Sequence, residues 1–157
     1  MINFESIGIA VNQPLYLYQD PMFMLTVSTV VATDNGVYVV KMGDGTYGFP
    51  GGKVKAGQET IQFACVRTVK EQIGIALTKE SLMPIDFRSD PERSKEKNVV
   101  DIGMLVILEN EPFHANSSRM EIDFENKTIA DGNVKFYMDH DVLLKRAIDV
   151  ILMMREV

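Results

Sequence analysis

The residues best suited to chemistry crowd into one stretch, Gly51 to Ile75, GGKVKAGQETIQFACVRTVKEQIGI. Behind Phe49-Pro50, Gly51 and Gly52 make a turn whose backbone can adopt conformations closed to other residues, and whose carbonyls and amides can approach a ligand closely. Lys53 and Lys55 flank it on alternating positions, where an ammonium could meet a phosphate. Further on, Glu59, Arg67, Thr68, Glu71 and Gln72 fall on the side of a helix away from its apolar stripe. Positions 68, 71 and 72 are spaced i, i+3, i+4, so their side chains converge on one patch. Three carboxylates there would hold a hard divalent cation. Only Glu71 is a carboxylate; Thr68 and Gln72 are neutral.

The elements that must position these residues follow from periodicity and turn chemistry. Ile61, Cys65, Val69 and Ile73 recur every four residues, with Val66 beside them, and predict an amphipathic helix ending at Gly74. Upstream, residues 22–32 read as a buried strand rich in β-branched residues. Thr33-Asp34-Asn35-Gly36 reads as a tight turn and residues 37–42 as the returning strand. Gly43-Asp44-Gly45 is a second turn, so a β-meander delivers the chain to the glycines. Downstream, residues 84–87 predict a short strand, 88–98 a charged loop, 99–108 a strand interrupted by Asp101 and Gly103, and 120–124 a half-exposed strand. Residues 125–135 read as loop. Val142, Leu143, Ala147, Ile148, Ile151 and Leu152 have helical spacing and predict a closing amphipathic helix. Strands, helix, strands, helix make an α+β class, a mixed α/β/α sandwich.

Composition narrows the function classes. The 157 residues are most simply one domain, 1–157, with 1–21 an N-terminal extension of uncertain structure in which 7–11 and 15–18 could be short strands. A net charge of -6 offers no broad basic face to phosphates and argues against non-specific nucleic-acid binding. The single cysteine, Cys65, lies on the apolar stripe, reads as a small buried hydrophobe and suits a reducing cytosol. No signal-peptide pattern or 18-residue apolar run is present, so neither export nor membrane spanning is expected.

Gly52 to Ile75 resembles the Nudix box: Gly, five residues, Glu, seven residues, Arg-Glu, an aliphatic, any residue, Glu-Glu, any residue, Gly, an aliphatic. Gly52, Glu59, Arg67, Val69, Glu71, Gly74 and Ile75 match. The spacing from Gly52 to Glu59 is one residue longer than the pattern, as if Gln58 were inserted. Thr68 stands where the Glu of Arg-Glu belongs, and Gln72 replaces the second Glu of Glu-Glu. Tyr47 to Gly52 is similar to the family's approach to the box. Phe87 to Arg93 with the following strand, and Asp139-His140 before the last helix, resemble ADP-ribose pyrophosphatase-like members.

The resemblance implies a Nudix fold, a mixed sheet between helices, and cleavage of a diphosphate linked to a nucleoside or another group. It implies Mg²⁺ or Mn²⁺, which neutralises the diphosphate and activates water. Carried over residue by residue, the metal ligands are the Gly51 carbonyl and positions Thr68, Glu71 and Gln72. Glu71 contributes to catalysis and Arg67 orients box side chains; Phe49, Gly52 and Lys53 line the substrate side. A general base outside the box, as some members have, falls first on Glu121, where a late strand meets a loop, and second on Glu125. His140 could serve as a base by chemistry, with Asp139 before it as a helix N-cap; His114 reads as exposed. A small nucleotide ligand and a homodimer, as in many ADP-ribose-type relatives, complete the expectations. Two functions stay open: a hydrolase of reduced activity, and a domain that binds a nucleotide or ADP-ribose-like ligand without cleaving it.

Overall fold

A computed structural model describes residues 23–112 and 118–157. The expectations for 1–21 and for His114 lie outside these residues. The first strand, β1 (Met24–Ala32), turns back through Asp34-Asn35 into β2 (Gly36–Lys41), with Val31 opposite Tyr38 and Ala32 opposite Val37. Two short strands follow, β3 (Tyr47–Gly48) against β2 and β4 (Gly51–Lys53) against β1. The helix α1 (Ile61–Ile73) comes next, then β5 (Met83–Arg88), β6 (Val99–Ile107), β7 (Ser118–Asp123), β8 (Thr128–Ile129) and α2 (His140–Arg155). Single 3₁₀ turns occupy Lys79–Ser81 and Pro91–Arg93.

The sheet order is β5-β6-β1-β2-β7-β8, with β3 beside β2 and β4 beside β1. Every pairing among these strands is antiparallel except β1 with β6, which run parallel from Met24 opposite Val99 to Ala32 opposite Ile107. Side chains alternate across β1 with the strand period of two. Val27 and Val31 face α1, packing with Ala64, Cys65, Val69 and Ile73. Val30 and Ala32 face α2, packing with Leu143, Leu144, Ala147, Ile148 and Ile151. The sheet therefore lies between the two helices, the mixed α/β/α sandwich of an α+β chain. Each fully buried aliphatic side chain in these layers contributes about 1.5–3 kcal/mol.

The ends of α1 have local causes. Thr60 is extended and its hydroxyl accepts from the Phe63 N–H, a helix N-cap. Gly74 closes the helix at φ 75°, the left-handed position a glycine fills without penalty. Two expectations need correction. Residues 51–53 are a strand, not only a turn, because Gly51 and Gly52 lie against β1 opposite Ser28 and Val27. Residues 125–135 include β8, paired with the end of β7.

Candidate functional site

The site starts from why residue 51 is glycine. A Cβ there would lie 1.9 Å from the Val27 carbonyl oxygen, so no other residue fits against β1 at this register. In an antiparallel pair, successive residues aim their polar groups alternately at the partner strand and away from it. Pro50 uses its carbonyl inward, accepting from the Thr29 N–H at 2.9 Å. Gly51 therefore turns both its N–H and its C=O outward, toward α1. Gln72 meets both: the Gly51 N–H donates to Gln72 Oε1 at 3.0 Å, and Gln72 Nε2 donates to the Gly51 oxygen at 2.6 Å.

Around this turn, Arg67 ties the box together. Its Nε donates to Glu59 Oε2 at 2.9 Å and its Nη2 to Glu59 Oε1 at 2.7 Å, a bidentate pair. The same Nη2 reaches the Lys53 carbonyl at 3.2 Å, and Nη1 reaches Glu71 Oε2 at 3.3 Å. Glu59 also accepts from the Lys55 N–H at 2.9 Å. The Arg67 hydrogen bonds and the Lys55 amide hold the Glu59 carboxyl down at about 2, so it is ionised throughout the working range of a protein. Arg67 thus fixes β4 to α1, while Glu71 stays half in solvent, its side chain 57% exposed.

Thr68 sits differently from its helical-wheel assignment. It is buried, at 2% exposure, and its hydroxyl donates back along the helix to Ala64 O at 2.8 Å and Cys65 O at 3.2 Å. The hydroxyl hydrogen is used within α1. The side assigned to Thr68 by spacing alone is the polar one; the side it occupies is the margin of the core.

On the opposite face of the sheet, β4 forms one wall of a cavity of about 690 Å³. Phe49, Gly51, Gly52 and Lys53 line it together with Thr26, Ser28, Asp101, Arg93, Lys95, Tyr137 and His140. The structure brings the three substrate-side residues Phe49, Gly52 and Lys53 to this cavity. Thr68, Glu71 and Gln72 lie behind the wall on the α1 side, and Gln72 is joined to it through Gly51. Glu121 is exposed and pairs with Gly36 at the β1–β2 hairpin, on a strand two places from β1. Gly51 pairs with Ser28, and Gly36 lies opposite Thr33, five residues further on, so Glu121 stands about 17 Å further along the strand direction. It is not brought to the glycine strand. Glu125 is also exposed.

The far wall of the cavity carries residues that the sequence reading missed as a group. Asp101 points from β6 into the α2 face, where it accepts from Thr26 Oγ1 at 2.5 Å, from Ser28 Oγ at 3.1 Å, and from Arg88 Nη2. Arg88 Nη1 donates to the Asp139 carbonyl at 3.1 Å and carboxylate at 2.5 Å. Arg93 Nε and Nη2 both donate to that carboxylate at 2.8 Å. Two arginines and two aspartates, all largely buried, balance in charge. Asp139 occupies the N-cap position of α2, but its side chain makes no cap bond because the arginines take it. The arginines hold its carboxyl below the ordinary range against the opposing effect of burial, the larger single influence.

His140 is 5% exposed and accepts the Phe49 N–H on Nδ1 at 2.9 Å. Its ring stacks on Phe49, 5.8 Å between centroids at 7°, and meets the Tyr137 ring edge-on at 5.6 Å. Burial pushes its pKa down to about 4. The ring is therefore neutral near pH 7, with its proton on Nε2 because Nδ1 is an acceptor. A signal for this network was present in the sequence: an aspartate inside the apolar run of β6, and Asp-His at the start of an apolar helix, both charges where burial is the rule.

Whether the residues present suit a resident Mg²⁺ or Mn²⁺ can be tested on these contacts. Hard cations need several anionic or carbonyl oxygens. The Gly51 carbonyl is bonded to Gln72, the Thr68 hydroxyl donates into its own helix, Glu71 is the one carboxylate among positions 68, 71 and 72 and is turned toward Arg67, and Glu59 is held by Arg67 in a bidentate pair. Among the described residues no group of three or more His, Cys, Asp or Glu could hold a metal ion. This donor set does not fit a resident divalent cation. No helix among the described residues is long and apolar enough to cross a membrane.

Comparison with known proteins gives the architecture and site a family. The family model described as "Nudt16-like: U8 snoRNA-decapping enzyme-like" matches residues 10–119. An ADP-ribose pyrophosphatase of Methanocaldococcus jannaschii is 26% identical over 133 residues, 82% of this chain and 74% of that protein. Among solved structures, a MutT/nudix family protein from Enterococcus faecalis superposes with a TM-score of 0.69 at 17% identity, over 96% of this chain and 73% of that one. The NUDIX domain of Shewanella oneidensis NrtR, complexed with ADP ribose, superposes with a TM-score of 0.66 at 16% identity, over 91% of this chain and 99% of that one. A bifunctional NMN adenylyltransferase/ADP ribose pyrophosphatase from Francisella tularensis, complexed with AMP and a Mn ion, gives 0.60 at 17% identity, over 93% of this chain and 46% of that one. Nudix pyrophosphatases generally use divalent metals, which makes the altered box the feature to explain. On the family match, with the fold and the box geometry behind it, the chain belongs to the Nudt16-like family of Nudix hydrolases and is a pyrophosphohydrolase.

Proposed function

We propose that the chain hydrolyses the diphosphate bond of a small nucleotide of the ADP-ribose class, and does so slowly. The observation that carries this reading is the cavity beside β4. Its volume of about 690 Å³ suits a nucleotide-sized ligand. Among the described residues, Lys53 and Lys95 line it with no ion-pair partner of their own, so two ammonium groups are free to meet a diphosphate. The Tyr137 ring, exposed at the cavity, gives a base or sugar an apolar surface. The Methanocaldococcus relative's activity and the NrtR ligand point to the same class of compound.

Glu71, on the α1 side of the glycine strand, is the carboxylate left to orient the attacking water where the diphosphate of a cavity-bound ligand extends across that strand, and Arg67 fixes the strand and helix there. The slowness follows from the neutral residues at 68 and 72, which leave the box without the carboxylates that would hold a cation against the phosphoryl charge. A second reading, binding without cleavage, is favoured by one observation: the Gly51 carbonyl is already bonded to Gln72. Phosphate release from a panel of nucleoside diphosphate derivatives separates the two. The panel is run with Mg²⁺, with Mn²⁺ and with a chelator, and Glu71→Ala is the control. Turnover lost in the control identifies the hydrolase and its substrate class. No turnover, with a melting temperature that rises with one of the same compounds, identifies the binder.

A further inference from the structure

We infer that Gln72 takes the place of a bound cation at Gly51, so that the glycine strand is set for its ligand without any divalent metal on the box helix. Two hydrogen bonds join this one side chain to one backbone residue. A primary amide carries a donor and an acceptor. The Gly51 N–H must face an oxygen and the Gly51 C=O must face an N–H, so the two contacts at 3.0 and 2.6 Å fix which end of the amide is which. A glutamate here could accept from the N–H but could not donate to the carbonyl. Two oxygens would then face each other, and a cation between them would be the natural relief. The amide removes both the need for the cation and its place.

The neighbouring groups agree with this. A carbonyl has a second lone pair, so the Gly51 oxygen alone does not exclude a metal. A coordination shell, however, also needs oxygens from the same patch. Thr68 is buried, at 2% exposure, and its hydroxyl donates to Ala64 and Cys65 within its own helix. Glu71 is the only anion on the patch, and it faces the Arg67 guanidinium at 3.3 Å. Each of the three positions is satisfied by the chain itself. Gln72 is in this sense a positioning residue: it holds Gly51 at the cavity wall and touches no reacting atom.

The test is direct and needs no substrate. Mn²⁺ is titrated into the whole protein without nucleotide, and the free ion is followed by electron paramagnetic resonance. The wild type is expected to show no saturable site below about millimolar Mn²⁺, the range of weakly charged oxygen sites. Gln72→Glu frees the Gly51 carbonyl and adds a second carboxylate beside Glu71, so it should gain a site at least about tenfold tighter, since ligand charge sets affinity for such ions. Gln72→Ala frees the carbonyl without adding charge and should gain little, which separates the cation from a general loosening of the turn. Saturation of the wild type at tens of micromolar Mn²⁺ would overturn the inference, as would a Gln72→Glu protein, folded by its melting transition, that binds no better than wild type. Should that variant not fold, the wild-type titration decides alone. The result is independent of which compound is hydrolysed, so a failed substrate panel and a failed metal titration are told apart.

Discussion

Two polar networks flank the same strand, β4, and they are built on opposite principles. On the α1 side, Glu59, Arg67, Glu71 and Gln72 are close in sequence and partly open to solvent, and what matters about them is geometry: they pin Gly51 and Lys53 to a helix. On the α2 side, Arg88, Arg93, Asp101 and Asp139 come from β5, a 3₁₀ turn, β6 and the start of α2, and their charges are neutralised inside the protein. The first network can change its chemistry one residue at a time, because each member is satisfied locally or by water. The second cannot, because every member is a buried charge whose partner is another member. The box positions 68 and 72 have lost their carboxylates while the fold around them stands. Equivalent changes at 88 or 101 should be felt by the whole molecule.

The largest effect is therefore expected in the buried network. Asp101→Ala leaves Arg88 facing an empty acceptor and strips Thr26 and Ser28 of theirs. Breaking such a pair on one side typically costs roughly 3–5 kcal/mol. Urea unfolding should show this as a lower midpoint with an unchanged slope. A loss under about 1 kcal/mol, the scale of an exposed pair, would make the two networks equivalent and remove the contrast between them.

His140 gives a second, pH-dependent handle on the same side. Its pKa falls from 6.5 to about 4 on folding, mainly by burial, with Arg88 and Arg93 lowering it and Asp101 and Asp139 opposing. The unfolded chain then binds the proton more readily than the native one between these values. The contribution is fully present above about pH 6.5 and is lost as pH falls toward 4, amounting to about 3 kcal/mol at most. Stability measured by denaturant at stepped pH should decline across this window in the wild type. The His140→Gln protein should show a flatter line there, even if it starts lower. An equal slope in both would mean that the ring is protonated in the native state and that its hydrogen bond from the Phe49 N–H is absent in solution.

The contrast between the networks is also a contrast in what a sequence exposes. The helix α1, its Gly74 end and the closing helix follow from spacings of three and four, and β1 and β2 from β-branched runs around Asn35-Gly36. The Arg67 pairing with Glu71 is a local i, i+4 relation and was legible for that reason. Thr68 was not, because a small hydroxyl residue at the border of a stripe can bury itself by bonding to the carbonyls one turn back. The bidentate grip of Gln72 on Gly51 spans 21 residues and depends on the outward orientation of a strand residue, which no periodicity reports. Arg88 with Asp139 spans 51, and the parallel pairing of β1 with β6 joins segments more than seventy residues apart. These contacts arise from topology, and the sequence offers only their trace, a charge inside an apolar run.

The smallest structural effect should accompany the sharpest functional one. Glu71 is 57% exposed and its ion pair with Arg67 is an i, i+4 contact on a helix surface. Arg67 keeps its two bonds to Glu59 and its bond to Lys53 when Glu71 is removed. Glu71→Ala should then cost no more than about 0.5 kcal/mol, a shift of about 1–2 °C in melting temperature for a domain of this size. Hydrolysis, if this carboxylate orients the water, should drop to the rate of the protein-free buffer. A variant that melts as the wild type does and keeps its turnover would move the chemistry to the cavity side of β4, where Asp44, Glu96 and Asp101 are the carboxylates lining the ligand space. Asp101 is already committed to Arg88, Thr26 and Ser28, so Asp44 and Glu96 would be the next residues to replace.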